Sequence, residues 1–338
     1  MLVTNQRGLT VKKIKVITTG GTIAMGEDKS THQIVPKLSG EELLSHVPQL
    51  NNMAKLDLIQ YTNLDSSQLT PRMIWDLAKL VENSLAETEI SGVLITHGTD
   101  TLEETAYLLD LLLDTAKPVV ITGALRSFNQ LSSDGEANLS QALQTIIEPH
   151  SKNKGVLVVL NNQIHAARFV AKVHTNKLTA FSSINAGPIG HIDHCGVHYF
   201  YDLVKQITIK PEELEERVEI IKLSVGSSDK LLQAALDYEY KGLVLEGFGL
   251  GTLPKKITSG LLRAKEEGIP IVVTSRCLEG RVYNLYGASA GGANIADMDI
   301  IFAGNLNSTK ARLALMLLLG EGLSKNEIRR YFGFKLKM

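Results

Sequence analysis

Gly92-Val-Leu-Ile-Thr96-His97-Gly98-Thr99-Asp100-Thr101-Leu102-Glu103-Glu104 is the stretch from which the fold is read. Residues 92–96 form a short, nearly continuous apolar run, the pattern of a parallel strand covered on both faces. Thr101, with Glu104 three positions on, has the spacing of a capping box and predicts a helix starting at about residue 102. A buried strand that passes through a polar turn into a helix is the unit from which α/β domains are built. The same reading applies along the chain. Residues 14–18, 118–122, 155–160, 242–246 and 269–274 predict strands. Ser39 with Glu42, Ser324 with Glu327, and Thr70 ahead of Pro71 predict helix starts. The alternation of strand and helix predicts an α/β fold.

At 338 residues and 36.9 kDa the length suggests roughly two domains. Folding a chain of this mass buries about three quarters of its surface, enough for large cores without metal or disulfide staples. The character of the sequence changes near residue 200. The segment DLVKQITIKPEELEERV (202–218) is charged, lacks glycine and contains Pro211. It is read as an interdomain connection, which divides the chain into 1–200, 201–219 and 220–338. Lys+Arg 35 against Asp+Glu 36 gives a net charge of −1, so no broad field is available to hold a polyanion. The basic ends (Lys12, Lys13, Lys15; Arg329, Arg330, Lys335, Lys337) are read as solvated termini. The two cysteines, Cys195 and Cys277, form neither a disulfide framework nor a CxxC site. No apolar run is long enough to span a membrane, and the N-terminal segment lacks a signal-peptide core. The expectation is a cytoplasmic protein with no membrane or nucleic-acid partner.

Several motifs are set aside on chemical grounds. Gly287-Ala-Ser289-Ala-Gly291 matches a nucleophile elbow, but no histidine lies beyond His198 to serve it. Gly21 to Gly26 has the glycine spacing of a phosphate loop but continues with Glu27 and Asp28, which repel phosphate. Gly247-Phe-Gly249-Leu-Gly251 is not followed by a helix signal, so no dinucleotide site is expected. His191, Asp193, His194, Cys195 and His198 collect metal-ligand types. They are read as a β-hairpin with an Asp-His-Cys-Gly turn, whose alternation sends neighbouring ligands to opposite faces. No metal is expected.

What survives is Thr18-Thr19-Gly20-Gly21-Thr22-Ile23-Ala24 together with Thr96-His97-Gly98-Thr99-Asp100-Thr101, each at a predicted strand end. Carboxyl ends of parallel strands are where open α/β sheets bind ligands. Paired glycines let a substrate approach the backbone, and a hydroxyl directly after them is placed as a nucleophile; an ordinary turn capped by Thr22 is the alternative. Asp100, ahead of a helix N-terminus, is favoured in its ionised form and suits a cationic substrate group. His97 is read as filling the turn.

TTGGTIA plus ITHGTDTLEETAY resembles the bacterial-type L-asparaginase/glutaminase family of amidohydrolases. The resemblance continues through Gly123-Ala124-Leu-Arg126, Ser133-Asp134-Gly135, Asn138-Leu139, Arg168-Phe-Val-Ala-Lys172 and Gly187-Pro188, and spans roughly residues 14–335. It implies two α/β domains, the larger N-terminal one a doubly wound, mostly parallel sheet and the smaller C-terminal one a parallel-sheet domain. It also implies no metal or organic cofactor, and sites formed in homo-oligomers, dimers or pairs of dimers. By motif, Thr22 resembles the nucleophilic threonine, and Thr99 the second catalytic threonine, with Asp100 and Lys172 beside it. Ser67 and Gln68 resemble the pair that grips the substrate α-carboxylate and α-ammonium, which Asp100 would share.

The implied substrate is L-asparagine, with L-glutamine open as a second. A threonine hydroxyl needs a base. Lysine is normally charged at neutral pH, and Asp100 favours the charge, so Lys172 is assigned to a proton relay through Thr99 with its resting charge left open. Backbone N–H groups near Thr99 and Ala124 are the expected oxyanion donors.

The chain departs from the family in two places. Residues 25–40 contain no tyrosine where many relatives have one in the mobile loop. Gly249-Leu-Gly251-Thr252 stands where secreted relatives use a partner-subunit asparagine, and Arg281, Tyr283 and Tyr286 are the candidates to reach across instead. Two other readings are an ammonia-supplying amidotransferase subunit, disfavoured by the short segment before the first strand, and a non-catalytic two-lobed amino-acid-binding protein, which would need neither catalytic-type threonines nor Lys172.

Overall fold

A computed structural model describes residues 12–27, 34–36, 38–203, 207–284 and 298–333. The GxSxG stretch 287–291, Tyr286, Asp28, Lys335 and Lys337 lie outside these. The chain divides into two compact units, Met1–Thr208 and Ile209–Met338.

The strands of the first unit are β1 (Lys13–Gly20), β2 (Met25–Glu27), β3 (Ile34–Pro36), β4 (Lys55–Leu64), β5 (Ile90–Thr96), β6 (Val119–Thr122), β7 (Val156–Leu160), β8 (Gln163–Ala166), β9 (Val170–Lys172), β10 (Phe181–Ser183), β11 (Gly190–Asp193) and β12 (Gly196–Tyr199). Eight of them form one sheet in the order β12-β11-β8-β7-β6-β5-β1-β4. The β4, β1, β5, β6 and β7 neighbours run parallel, and β7, β8, β11 and β12 continue antiparallel.

The apolar runs behave as their composition requires. Val93, Leu94 and Ile95 are each 0% exposed. Ile14, Val16, Leu94, Val120, Leu157 and Val159 turn to one face, into a core with Leu43, Leu50, Leu139 and Leu143 from helices Gly40–Ser45, Leu50–Met53 and Gly135–Ile147. By the period of two, the intervening Val93, Ile95, Val119 and Ile121 face the other side. Helices Pro71–Ala86 and Leu102–Leu112, which pack on each other, carry the connections from β4 to β5 and from β5 to β6. The sheet is therefore wound on both faces.

The strand order reverses at β1, which has β4 on one side and β5 on the other although both follow it in sequence. The carboxyl ends of β1 and β5 thus meet at a topological switch point, the place where such sheets bind ligands. The connections leaving β1, β4, β5 and β6 emerge at the same edge and carry Thr22, Ser67 and Gln68, Thr99 and Asp100, and Ala124 respectively.

The second unit has a four-stranded parallel sheet of β13 (Val218–Lys222), β14 (Gly242–Gly247), β15 (Ile271–Ser275) and β16 (Ile301–Phe302), in that order. Phe248 and Thr252 bridge across the Gly249-Leu-Gly251 reversal, and Tyr283 N donates to Leu250 O at 3.2 Å, so residue 283 lies beside that turn.

Three local expectations are corrected. Thr101 does not cap its helix with its side chain; its hydroxyl donates to Ser66 O at 2.8 Å, because a tertiary acceptor is in reach. The capping boxes at Ser39/Glu42 and Ser324/Glu327 do form, as does the Thr70 cap. Lys13 and Lys15 are not in a solvated terminus: they sit in β1, where Lys15, 6% exposed, pairs with Asp57 at 2.9 Å and Glu87 at 3.0 Å, and Lys13 pairs with Glu89 and Asp57. The hairpin at 190–199 forms with the expected turn, but its alternation aligns three of the five ligand-type residues on one face rather than dispersing them.

Candidate active site

Close backbone contact explains why the glycines are where they are. Gly20 and Gly21 have φ of 104° and 83°, a region costly for other residues. A Cβ on Gly21 would stand 2.2 Å from Gly98 Cα, and one on Gly98 would stand 2.8 Å from Ser66 Cβ. The segments leaving β1, β4 and β5 therefore touch backbone to backbone. A Cβ on Gly123 would stand 2.5 Å from His97 O and 3.4 Å from Thr99 Cγ2, which brings the β6 segment in as well. Cross-links tie the strands: Thr19 Oγ1 donates to Thr96 O at 3.0 Å, Thr62 Oγ1 to Thr19 O at 2.6 Å, and Gly21 N to Leu64 O at 3.1 Å.

Thr22 opens a short 3-10 turn, Thr22–Ala24, and is half-buried above this floor. Thr99 is 6% exposed. Lys172, at the end of β9, donates from Nζ to Thr99 Oγ1 at 2.9 Å and to Asp100 Oδ1 at 2.6 Å. The Lys172 side chain is 15% exposed while the Asp100 side chain is 70% exposed, so the carboxylate has room for a cation from outside. Ser67 and Gln68, in the turn Ser66–Gln68, are exposed at the same edge. Ala124 is buried at 1% exposure, next to the start of helix Gly135–Ile147. Thr99, Asp100 and Lys172 are thus in direct contact, and Thr22, Ser67, Gln68 and Ala124 lie on segments that abut Gly98 or Thr99.

Two residues have a role that sequence reading did not assign. The Asp134 carboxylate accepts from Leu125 N at 3.0 Å, Arg126 N at 3.0 Å and Asn138 Nδ2 at 2.9 Å. Asn138 Nδ2 also donates to Gly123 O at 2.9 Å, and Asn138 Oδ1 accepts from Asn161 N at 3.0 Å. Together they fix the shape of the segment after β6. The available signal was Asp134 and Asn138 one helical turn apart at a helix start, where both can face the preceding loop.

His97 is fully buried, and both its nitrogens are committed: Nδ1 donates to Gly98 O at 2.7 Å and Nε2 accepts from Thr105 Oγ1 at 2.9 Å. It braces the turn, as the sequence suggested. Burial pushes its imidazole down to about 4, against the pull of the Gly98 carbonyl, and burial pushes His165 to about 4 as well. An unfolded imidazole titrates near 6.5, so between pH 6.5 and 4 the unfolded chain binds protons that the folded chain does not. This part of the stability is complete above pH 6.5 and declines as pH falls toward 4, by up to about 3 kcal/mol per buried histidine. Urea unfolding midpoints measured from pH 7 to 4 should fall, and less steeply in His97→Gln; equal slopes for the two proteins would refute the assignment.

Comparison with known proteins fits this geometry. Residues 13–205 match the family model described as Asparaginase, N-terminal, and residues 217–332 match the Glutaminase/Asparaginase C-terminal domain. The chain belongs to the asparaginase/glutaminase family. It is 37% identical over 331 residues to the "Probable L-asparaginase" of Deinococcus radiodurans, covering 95% of this chain and 97% of that one. It is 34% identical over 308 residues to the "L-asparaginase" of Bacillus licheniformis, covering 91% and 95%. A glutamyl-tRNA(Gln) amidotransferase subunit from Methanobrevibacter smithii is 32% identical over 332 residues, 94% of this chain and 74% of that one. A solved structure titled a probable cytoplasmic L-asparaginase, from Campylobacter jejuni, superposes with TM-score 0.87 at 33% identity, covering 96% of this chain and all of that one. In this member of the family the TGGT and HGTD segments are held together at the switch point by the close approach of Gly21 and Gly98.

Proposed function

We propose that this protein is an L-asparagine amidohydrolase that releases L-aspartate and ammonia, with Thr22 as the nucleophile. The observation that supports this most is the Lys172–Thr99–Asp100 contact at the tip of β5, on the segment that packs against Gly21. Ser67, Gln68 and Asp100 hold the α-carboxylate and α-ammonium. The Thr22 hydroxyl attacks the side-chain amide carbon and its proton passes into the Lys172–Thr99 relay. The oxyanion is held by backbone N–H groups near Thr99 and Ala124. The C–N bond breaks, the nitrogen takes up the proton and leaves as ammonia, and an aspartyl ester remains on Thr22. Water, activated through Thr99, cleaves the ester and restores the hydroxyl.

The reaction requires no metal or organic cofactor. Its substrate is a small zwitterion, held by local charges on a chain of net charge −1. The larger unit carries the nucleophilic apparatus, and the smaller one completes the site of a neighbour in a homo-oligomer that works in the cytoplasm. Ammonia release from L-asparagine and from L-glutamine, measured side by side without tRNA, tests this. Turnover of free L-asparagine is expected. The similarity to an amidotransferase component supports a second reading; ammonia release only in the presence of a charged tRNA and the remaining subunits would favour it, and binding without turnover would favour an amino-acid-binding protein.

A further inference from the structure

The antiparallel end of the large sheet carries a side-chain cluster that amide hydrolysis does not use. In the β11–β12 hairpin His191 lies directly opposite His198, and Asp193 opposite Gly196. Residues two apart on a strand share a face, and directly opposed residues share it across the ladder, so His191, Asp193 and His198 project together. The turn anchors the carboxylate: Cys195 N donates to Asp193 Oδ1 at 2.7 Å. His191 Nε2 is 3.3 Å from Asp193 Oδ2, and His198 Nε2 is 3.2 Å from Asp193 Oδ1. One ligand atom from each of the three residues lies within 4.8 Å of the others.

The rings are held by stacking. His191 stacks on His198 with centroids 5.0 Å apart and on Phe200 at 5.3 Å. His191 Nδ1 is buried with no hydrogen-bond partner, so the polar interactions of this ring run through Nε2, the nitrogen that faces the carboxylate. A tetrahedral ion with bonds of about 2.0–2.1 Å places its ligand atoms ~3.3 Å apart. His191 Nε2 and His198 Nε2 each stand about that far from the Asp193 carboxylate but from different oxygens. Seating one ion therefore takes a turn of the exposed carboxylate and of the half-exposed imidazoles that brings one atom of each, already within 4.8 Å of the others, onto the ion. Two imidazoles with a single carboxylate suit borderline first-row ions and not calcium or magnesium, which require mostly oxygen ligands. β8, β7 and β6 lie between β11 and β5, so the cluster stands roughly 19 Å across the sheet from the Thr99 strand, at ~4.8 Å per strand.

We propose that His191, Asp193 and His198 bind a divalent first-row transition-metal ion of the zinc, nickel or cobalt type on the edge hairpin, apart from the amide-hydrolysing site. The ion takes three protein ligands and completes its coordination with water. It braces β12, an edge strand of the sheet, against its partner β11. The inference does not depend on the substrate assigned above.

Calorimetric titration of the EDTA-treated full chain with zinc chloride tests it, with Co²⁺ absorption as a second probe. One ion per chain is expected, together with a thermal midpoint that rises with zinc. His198→Gln and Asp193→Asn are each expected to weaken binding at least ~10-fold. Cys195→Ser and His194→Gln, in the turn, are expected to leave it unchanged. Far-UV circular dichroism and the metal-free thermal midpoint check that each variant is folded. The site is refuted by the lack of saturable binding at one equivalent, by an isotherm unchanged in His198→Gln and Asp193→Asn, or by binding that disappears in Cys195→Ser instead.

Discussion

Thr22→Ala is expected to lower kcat for L-asparagine by at least ~10⁴-fold while leaving substrate affinity within a few-fold of the native value. The reasoning is chemical. Thr22 follows two glycines whose backbone conformation is fixed by contact with Leu64 and Gly98, so removing its hydroxyl leaves the floor of the site unchanged. The groups assigned to substrate binding, on Asp100, Ser67 and Gln68, belong to other segments. A loss confined to kcat identifies a group needed only once bonds begin to change. A rise in KM with kcat preserved would instead mark Thr22 as a binding residue.

Lys172→Met is the second large effect. Methionine preserves most of the side chain's volume and removes the amine, so Thr99 Oγ1 loses a donor at 2.9 Å and Asp100 loses its partner at 2.6 Å. Loss of a positioned proton-transfer group costs ~10²–10⁴ in kcat. The fold should tolerate the change, since the Asp100 side chain is 70% exposed and its carboxylate stays hydrated without the lysine, and methionine fills the space of the largely buried Lys172 stem. The expected pattern is a large fall in kcat with an unfolding midpoint close to native. Asp100→Ala provides the contrast: it removes a counter-charge for the substrate ammonium and should raise KM more than Lys172→Met does. Equal effects of both variants on KM would contradict the separate roles given to the two residues.

How much of the fold and site is legible in the sequence depends on where the deciding contacts lie. β5 and its helix are legible because a strand buried on both faces shows as an unbroken apolar run and needs no partner to be recognised. β4 is not: it is one of the sheet's two outer strands, its residues are half-buried or exposed, and its polar and apolar residues mix as KLDLIQYTNL. The Thr101 cap fails because the hydroxyl has a competing acceptor, Ser66 O, 35 positions away. Lys15 misleads for the same reason, since its partners Asp57 and Glu87 come from distant segments. Within the site, Thr22, Thr99 and Asp100 announce themselves as polar residues at strand ends. Lys172 does not: it sits on β9, in a two-stranded ribbon with β10, 73 residues from Thr99, and family resemblance alone singles it out. Asp134 and Asn138 act on the site through backbone groups, which no motif spacing announces. The histidine hairpin shows the converse. Its topology is legible, and its register decides which side chains meet.

The most direct test of the central assignment is acid quenching of the enzyme during turnover of L-asparagine, followed by mass analysis of the peptide that contains Thr22. The account predicts a fraction of that peptide heavier by one aspartyl residue, with the added mass located on Thr22 and missing in Thr22→Ala. The same added mass found on Thr99, or turnover by Thr22→Ala at a native rate, would contradict it.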